Sequence, residues 1–249
     1  MNIHIATIPV EMGQQAAAAG ALAIQHSLED RGLASIILAT GASQFTMYEA
    51  LLQHPEINWS RVSVFHLDEY LGLPFDHPAS FRKYLWQRFI SKLPIAPRAV
   101  YWIDGEAVPG AECRRLNKII QQHSIGVAFV GIGENGHLAF NDPPADFATE
   151  EPYITVTLDE ACRRQQLGEG WFPTFDDVPT QAISMSIQQI MKSQRIICTV
   201  PDARKADAVK LSLEGPVTNL VPASILQRHG HVDLFLDQLS ASLLRQDTK

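Results

Sequence analysis

The chain has 249 residues, and the 46% that are hydrophobic can build the core of one large α/β domain or of two small ones. Its formal net charge of -7 argues against nucleic acid or an anionic membrane surface as a partner, although a locally positive pocket could still bind a small anion. The start of the chain lacks a basic, apolar leader and no apolar run reaches membrane-spanning length, so the sequence favours a cytoplasmic protein. The three cysteines are far apart and are expected to be buried thiols.

The first predicted elements alternate between helix and strand. An alanine-rich helix is expected over about 11–29, a buried strand over 34–39 and a second helix over about 44–53. Four small residues form the turn between this strand and this helix, namely Thr40, Gly41, Ala42 and Ser43. Backbone N–H groups, hydroxyls and a helix dipole at such a turn suit a phosphate, although Ser43 acting only as a helix N-cap explains the segment equally well.

A third strand is predicted over 61–67, and two adjacent carboxyl groups, Asp68 and Glu69, follow it. Neighbouring side chains of an extended chain point in opposite directions, so at most one of these carboxylates faces a site while the other caps a helix or pairs locally. An amphipathic helix over 110–123 is expected to lead into the central strand. Before it, an aromatic-rich helix is predicted over 78–93, with five large side chains in the core: Phe81, Tyr84, Leu85, Trp86 and Phe89.

The central strand, over 127–130, runs into a glycine-rich loop from Gly131 to Gly136, and His137 follows directly. The spacing of these glycines matches the dinucleotide-binding fingerprint. However, Pro143 and Pro144 interrupt the helix that would have to begin at the last glycine and meet the pyrophosphate. The sequence therefore predicts no nucleotide cofactor.

Polar side chains surround this histidine in the sequence. Asn135 and Asp142 flank His137, and the cluster favours an active-site loop over a turn with a buried structural histidine. His66 and Asp68 together with His137 are weak evidence for a metal, because the three lack clustered ligand spacing, and no metal site is predicted.

The second half begins with a half-exposed strand over 153–158. The segment from about 159 to 180 carries charged residues followed by Gly168 and Gly170, which predicts a lid over the site with glycine hinges. Its arginines could contact an anion, or they could form a solvated surface. Two further strands are expected, over 195–200 and 231–236. Between them, a helix that starts at 201–205 places Lys205 at a second strand end.

This order of elements predicts a Rossmann-like three-layer α/β sandwich with a mainly parallel central sheet. Residues 1–249 are expected to form a single domain with the lid inserted, and a homo-oligomer is compatible with the sequence. Asp68 could act as a general base and His137 as a proton shuttle, while the hydroxyl-bearing turn and Lys205 hold a phosphate. The residues thus favour proton transfer on a phosphorylated metabolite.

Four separated segments resemble those of glucosamine-6-phosphate deaminases (isomerases), within the glucosamine/galactosamine-6-phosphate isomerase and 6-phosphogluconolactonase superfamily. Gly131–Pro143 is similar to the signature of these enzymes and Leu67–Pro74 to their second motif. Thr40–Ser43 and Arg204–Ala206 resemble their phosphate-binding segments. The resemblance implies a Rossmann-like fold, no cofactor, and conversion of glucosamine 6-phosphate and water to fructose 6-phosphate and ammonia.

The resemblance also implies roles for single residues. Asp68 would move the proton at C2 and His137 would open the pyranose ring, with Asn135 and Asp142 orienting the histidine. The best-known deaminases carry an acid where this chain has Asn135, and Glu where it has Asp142. For the family's phosphate-binding lid arginine, Arg164 is the predicted counterpart, with Arg163 as the alternative.

Three other functions compete with this prediction. Related 6-phosphogluconolactonases share the fold and a Gly-His loop, but the continuation over Ala139–Pro143 favours a deaminase. An amino sugar of the galacto series is an alternative substrate, given the altered lid. A non-catalytic sugar-phosphate sensor is disfavoured, because a sensor needs neither Asp68 nor His137.

Overall fold

The computed structural model describes residues 1–168, 170–246 and 248. The strands in this part of the chain are β1 Asn2–Ala6, β2 Ala34–Leu38, β3 Val62–His66, β4 Asp68–Tyr70, β5 Ala99–Tyr101, β6 Val127–Val130, β7 Tyr153–Thr157, β8 Gln181–Met185, β9 Arg195–Val200 and β10 Val232–Asp237. The α-helices are α1 Pro9–Arg31, α2 Phe45–Leu51, α3 Phe81–Arg88, α4 Pro109–Ile120, α5 Glu160–Gly168, α6 Ile187–Met191 and α7 Ala206–Glu214.

Within the described residues, seven strands form a parallel sheet in the order β1-β10-β9-β6-β2-β3-β5. Alternate side chains of β2 enter different apolar clusters: Ile36 packs with residues of α1, whereas Ile37 packs with residues of α4 and α7. Helices therefore cover both faces of the sheet, which explains why its central strands are continuous apolar runs. This arrangement confirms the predicted Rossmann-like sandwich.

A second, antiparallel sheet pairs strands in the order β4-β8-β7. Asp68, predicted to follow the third strand, begins strand β4 of this sheet, and the half-exposed strand predicted over 153–158 is confirmed as β7 of the same sheet. The sequence analysis did not predict β8. Asp68 pairs with Ser184 in this sheet, so the second sheet fixes its backbone directly beyond the end of β3.

Two predicted helices are shorter than expected. A 3₁₀ turn over Ala42–Gln44 precedes α2, and the helix predicted over 78–93 divides into α3 and a 3₁₀ turn over Ile90–Lys92. The prediction that Trp86 lies in the core is wrong, since 47% of the residue is exposed. None of the helices in the described ranges is long and apolar enough to cross a membrane.

The three cysteines are free and buried, as predicted for structural thiols. Cys162 lies in a small apolar cluster that joins α5 and its following loop to the second sheet, and Tyr70, Phe140 and Phe172 contribute to the same cluster. The Tyr70 hydroxyl also donates a hydrogen bond to Gln166 Oε1 at 2.5 Å. The segment predicted as a lid is therefore attached to the second sheet, while its movement stays a prediction.

Candidate active site

A cavity of about 450 Å³ opens at the carboxyl ends of β9, β6, β2 and β3, which are neighbours in the parallel sheet. Open α/β sheets bind ligands at this edge. The cavity brings together most of the predicted site residues, namely Thr40, Gly41, Ala42, Ser43, Asp68, His137 and Lys205. α3 and the lid segment supply the remaining wall, where Tyr84, Gln165 and Trp171 line the cavity.

Asp68 is a buried carboxyl group of the cavity and is only 6% exposed. Its Oδ1 accepts a hydrogen bond of 3.2 Å from the Thr40 hydroxyl. Burial raises the pKa of Asp68 to about 7, because the Thr40 hydrogen bond only partly offsets the loss of hydration and the neighbouring Glu69 charge adds to the effect. A carboxyl group with such a pKa can both take and return a proton near neutral pH.

Glu69 has a different, structural role. Its carboxylate is fully buried and accepts hydrogen bonds from the Ser80 hydroxyl and from the backbone N–H groups of Phe81 and Arg82. The Arg82 Nε also donates to Glu69 at 3.2 Å. Glu69 thus holds the first turn of α3 in place, which agrees with the prediction that one of the two adjacent acids caps or pairs locally.

His137 forms a compact group with Asn135 and Asp142. Its Nδ1 lies 3.2 Å from Asp142 Oδ1, within ion-pair distance, and Asn135 Nδ2 donates to the same oxygen at 2.9 Å. The His137 backbone N–H donates to Asn135 Oδ1 at 3.1 Å. Burial raises the pKa of Asp142, but its contacts with His137 and Asn135 outweigh burial and keep the pKa below its usual value. An ionised Asp142 therefore orients the imidazole through Nδ1, which leaves Nε2 for a ligand.

The glycine-rich loop gives the imidazole ring its position. A Cβ at Gly133 would overlap the His137 ring, so the ring can lie against this backbone only because the residue is glycine. Asn141 then fixes the end of the loop to the second sheet, since its Nδ2 donates to Leu138 O at 2.7 Å and to Met185 O at 2.8 Å. Gly133 thus makes room for the histidine ring.

A buried glutamine holds the Thr40–Ser43 turn against the central sheet. Gln44 Nε2 donates to Ser43 Oγ at 3.1 Å, to Val130 O at 3.1 Å and to Thr199 Oγ1 at 2.7 Å. The sequence analysis did not identify this residue. Lys205 lines the same cavity, so the hydroxyls of the turn and a cation border one cavity.

The lid arginines occupy other positions. Arg163 donates to the backbone oxygens of Phe175 and Val178. Arg164, the predicted phosphate contact, lies outside the cavity described above and pairs with Glu160 at 2.5 Å on an exposed surface, beside a second depression. Its contact with a phosphate stays a prediction.

Several cavity residues were not recognised as site residues from the sequence. Tyr84 was expected only in the core, yet it lines the cavity and donates its hydroxyl to Gly41 O at 3.1 Å. Glu134 and Asp202 also line the cavity. Arg204, which the sequence motifs placed in a segment that resembles the family's phosphate-binding segments, lines it as well. Within the described parts of the chain, no group of three or more His, Cys, Asp or Glu side chains could hold a metal ion.

The sheet and the cavity at its strand ends define the class of Rossmann-like α/β proteins that bind their ligands beyond the carboxyl ends of parallel strands. The chain belongs to the glucosamine-6-phosphate isomerase/6-phosphogluconolactonase family, whose model matches residues 9–235. This membership confirms the resemblance found in the sequence motifs.

The names of similar proteins are consistent with this family membership. A glucosamine-6-phosphate deaminase of Lacticaseibacillus paracasei is 39% identical over 86% of this chain and 89% of its own length, and one of Oenococcus oeni is 36% identical over 98% and 99%. A solved monomeric glucosamine-6-phosphate deaminase of the NagB superfamily superposes with a TM-score of 0.89 at 32% identity, covering 98% of this chain and 100% of that one. The 6-phosphogluconolactonase of Thermotoga maritima has a TM-score of 0.78 at 16% identity over 95% and 99%, and shows the shared fold alone.

Proposed function

We propose that the protein is a glucosamine-6-phosphate deaminase, which converts glucosamine 6-phosphate and water into fructose 6-phosphate and ammonia. One observation carries the proposal: Asp68 and His137 line a single cavity together with the Thr40–Ser43 turn and Lys205. A base, a proton shuttle and an anion-binding region are the groups that this reaction needs. The relatives that are 36–39% identical are named for the same activity.

His137 is assigned to ring opening. The cyclic amino sugar must first become an open-chain aldehyde, for which a proton leaves the C1 hydroxyl and another reaches the ring oxygen. An imidazole can move both protons, and the Asp142 carboxylate stabilises the charged form that arises between the two transfers. Asn135 supports this arrangement through its hydrogen bonds to both residues.

Asp68 is assigned to the isomerisation. Its carboxylate takes the proton from C2 of the open-chain sugar while the C1 oxygen gains a proton, which gives an enolamine. The carboxyl group then returns a proton to C1, and the nitrogen loses one proton. The product is the C2 imine of fructose 6-phosphate. Water adds to this imine and ammonia leaves, so the atoms balance with one water consumed. The raised pKa of Asp68, about 7, suits a group that must be a carboxylate first and an acid next.

The test compares three substrates with the purified protein: glucosamine 6-phosphate, galactosamine 6-phosphate and 6-phosphogluconolactone. Ammonia and ketose phosphate are measured for the first two and lactone hydrolysis for the third. We expect the fastest turnover with glucosamine 6-phosphate. Faster turnover of galactosamine 6-phosphate would reassign the substrate to the galacto series, and rapid lactone hydrolysis without ammonia release would refute the deaminase. Binding of the amino-sugar phosphates without turnover would instead indicate a sensor.

The variant Asp68→Asn tests the assigned role directly. We expect loss of C2 proton exchange with solvent, measured by NMR in deuterated water, while the binding of inorganic phosphate is retained. Exchange at the wild-type rate would remove Asp68 from this role. A homo-oligomer stays a prediction for this chain, whereas one structural neighbour is a monomeric deaminase, and sedimentation velocity distinguishes the two.

A further inference from the structure

Gln166, on the lid helix α5, is a buried polar residue in the wall of the cavity. It is 5% exposed, yet it lines the same cavity as Asp68 and His137. Its Oε1 accepts the hydrogen bond of 2.5 Å from the Tyr70 hydroxyl. In the described part of the chain, no hydrogen bond engages its Nε2. Because Nε2 is not enclosed by protein atoms, as the unpartnered Gln44 Oε1 is, a ligand in the cavity can reach it.

The Tyr70 side chain fixes the orientation of this amide. Its ring is fully buried and packs on Phe81, Phe140 and Phe172, with ring centroids 4.8 Å, 5.3 Å and 5.5 Å away. A side-chain amide carries its acceptor and its donor on one planar group, so the contact of Oε1 with the Tyr70 hydroxyl also fixes the direction of Nε2. Gln166 therefore presents amide N–H groups to the cavity in a set orientation.

The second sheet places Gln166 near the catalytic carboxylates. Asp68 and Tyr70 are two residues apart in β4, so their side chains leave the same face of the strand, about 7 Å from each other. The buried residues of α5 are Gln166 and, one turn earlier, Cys162. Burial raises the pKa of the Cys162 thiol, and nearby charges that include those of Asp142 and Asp68 add to the effect. The inward face of α5 thus lies beside the carboxylates assigned to ring opening and isomerisation.

This position corresponds to the middle of the proposed substrate. Asp68 acts at C1 and C2, and the Thr40–Ser43 turn with Lys205 is expected to hold the phosphate on C6. C3 and C4 lie between these two ends, and each carries a hydroxyl group. A hydroxyl oxygen accepts a hydrogen bond from an amide N–H. A donor on the wall near Asp68 is therefore suited to the hydroxyl at C3 or C4.

We propose that Gln166 is a specificity-determining residue that donates a hydrogen bond from Nε2 to the C3 or C4 hydroxyl of the sugar, with Tyr70 as its positioning residue. This inference rests on the proposed function for the identity of the substrate. A site that hydrogen-bonds a substrate hydroxyl rejects an analogue that lacks it, because the buried donor is then left unpaired. The lid thus distinguishes amino-sugar phosphates by their hydroxyl groups.

The experiment measures kcat/KM for glucosamine 6-phosphate and for its 3-deoxy and 4-deoxy analogues, with the wild type and with Gln166→Met. Methionine has a similar length and removes the amide. For the intact sugar we expect kcat/KM to fall by about 3- to 15-fold, since one hydrogen bond is lost. For one of the two deoxy analogues the same substitution should change kcat/KM by less than about twofold, because the hydroxyl that Gln166 contacts is already missing.

The matched control is Gln122→Met, which changes an exposed glutamine outside the cavity. It should leave all three values within about twofold of those of the wild type. An equal loss on Gln166→Met for the intact sugar and for both deoxy analogues would overturn the inference, because Gln166 would then act only through the structure of the lid. A loss confined to one hydroxyl for Gln165→Met, with none for Gln166→Met, would also overturn it and assign the contact to the neighbouring glutamine.

Two further variants separate the hydrogen bond from the packing of the lid. Gln166→Glu keeps the shape of the side chain, but its carboxylate has no N–H to donate, so it should lose at least as much kcat/KM as Gln166→Met. Tyr70→Phe keeps the ring and removes the hydroxyl that orients the amide. It should cause a smaller loss and weaken the discrimination against the same deoxy analogue. Wild-type kcat/KM and discrimination in Tyr70→Phe would refute its positioning role.

The inference and the proposed function fail in different ways. If the wild type releases no ammonia, the proposed function fails, and calorimetry still compares the binding of glucosamine 6-phosphate and its deoxy analogues to the wild type and to Gln166→Met. A loss of affinity that depends on one hydroxyl then supports the contact with Gln166, and a loss that depends on neither hydroxyl refutes it. If the wild type is active and Gln166→Met affects all three compounds equally, the inference alone fails.

Discussion

Asp68 should destabilise the folded protein at the pH at which the enzyme works. Burial raises its pKa to about 7 from an ordinary value of 3.8. Between these two values the native state retains a proton that the unfolded chain has released, so the free energy of unfolding falls as the pH rises. One pKa unit corresponds to about 1.4 kcal/mol, and the shift of about three units therefore corresponds to about 4 kcal/mol.

The variant Asp68→Asn separates this destabilisation from the chemistry. The amide keeps the size of the side chain, and its oxygen can still accept the hydrogen bond from Thr40, but it has no charge to bury. Below pH of about 3, where the carboxyl group is protonated in both states, wild type and variant should differ by a constant amount. Above pH of about 7, the free energy of unfolding of the variant relative to that of the wild type should be about 4 kcal/mol higher than at low pH. The variant can no longer abstract a proton.

Urea denaturation of both proteins at several pH values from 3 to 8 measures this difference, and ammonia release at each pH measures the activity. Asp76 is exposed, so Asp76→Asn is the matched control for the loss of one carboxylate. A stability difference between Asp68→Asn and wild type that stays constant over the whole pH range would refute the reasoning. The pKa of Asp68 would then be the same in the folded protein as in the unfolded chain.

Three further variants test the residues that hold the catalytic side chains and the site in position. Thr40→Val removes the hydrogen bond that lowers the pKa of Asp68, so the acid limb of the pH profile of kcat/KM should move to higher pH; an unchanged profile would contradict this. Gly133→Ala should lower kcat by about 100-fold or more without loss of the folded circular dichroism spectrum, because the new methyl group displaces the His137 ring, and near-normal activity would contradict the assigned geometry. Glu69→Gln should destabilise the protein by about 1–3 kcal/mol in urea denaturation, because the amide cannot accept all of the hydrogen bonds that the carboxylate accepts from Ser80, Phe81 and Arg82; unchanged stability would contradict the structural role.

Long apolar runs made the parallel sheet predictable. The strands expected over 127–130 and 195–200 have these bounds in the structure, because each is a continuous apolar segment between residues that end a strand. Residues that follow such strands lie at one edge of the sheet, so Thr40, His137 and Lys205 could be placed in one site before the fold was known. In a parallel sheet, residues that are far apart in the sequence lie close together when they follow the carboxyl ends of neighbouring strands.

The second sheet was harder to predict for physical reasons. β4 has three residues, too few to show a period, and its partner β8 is distant in the sequence. The same limit applies to Gln44, because two of its three hydrogen bonds are to Val130 and Thr199, which are distant in the sequence. Local contacts also determine where the lid arginines lie. Arg164 pairs with Glu160, and Arg163 donates to the backbone oxygens of Phe175 and Val178, so both bind groups of their own segment rather than groups of the cavity.

The amide at position 135 is suited to the shorter acid at position 142. Asn135 can donate to Asp142 Oδ1 and accept from the His137 backbone N–H at the same time, whereas an ionised carboxylate at that position could only accept. Two carboxylates beside one imidazole would also repel each other and raise one of their pKa values. With the amide, a single carboxylate carries the negative charge, and the contact with Asn135 helps to keep the pKa of Asp142 low. The Asn135 and Asp142 pair therefore provides an ionised partner for His137 without a second buried charge.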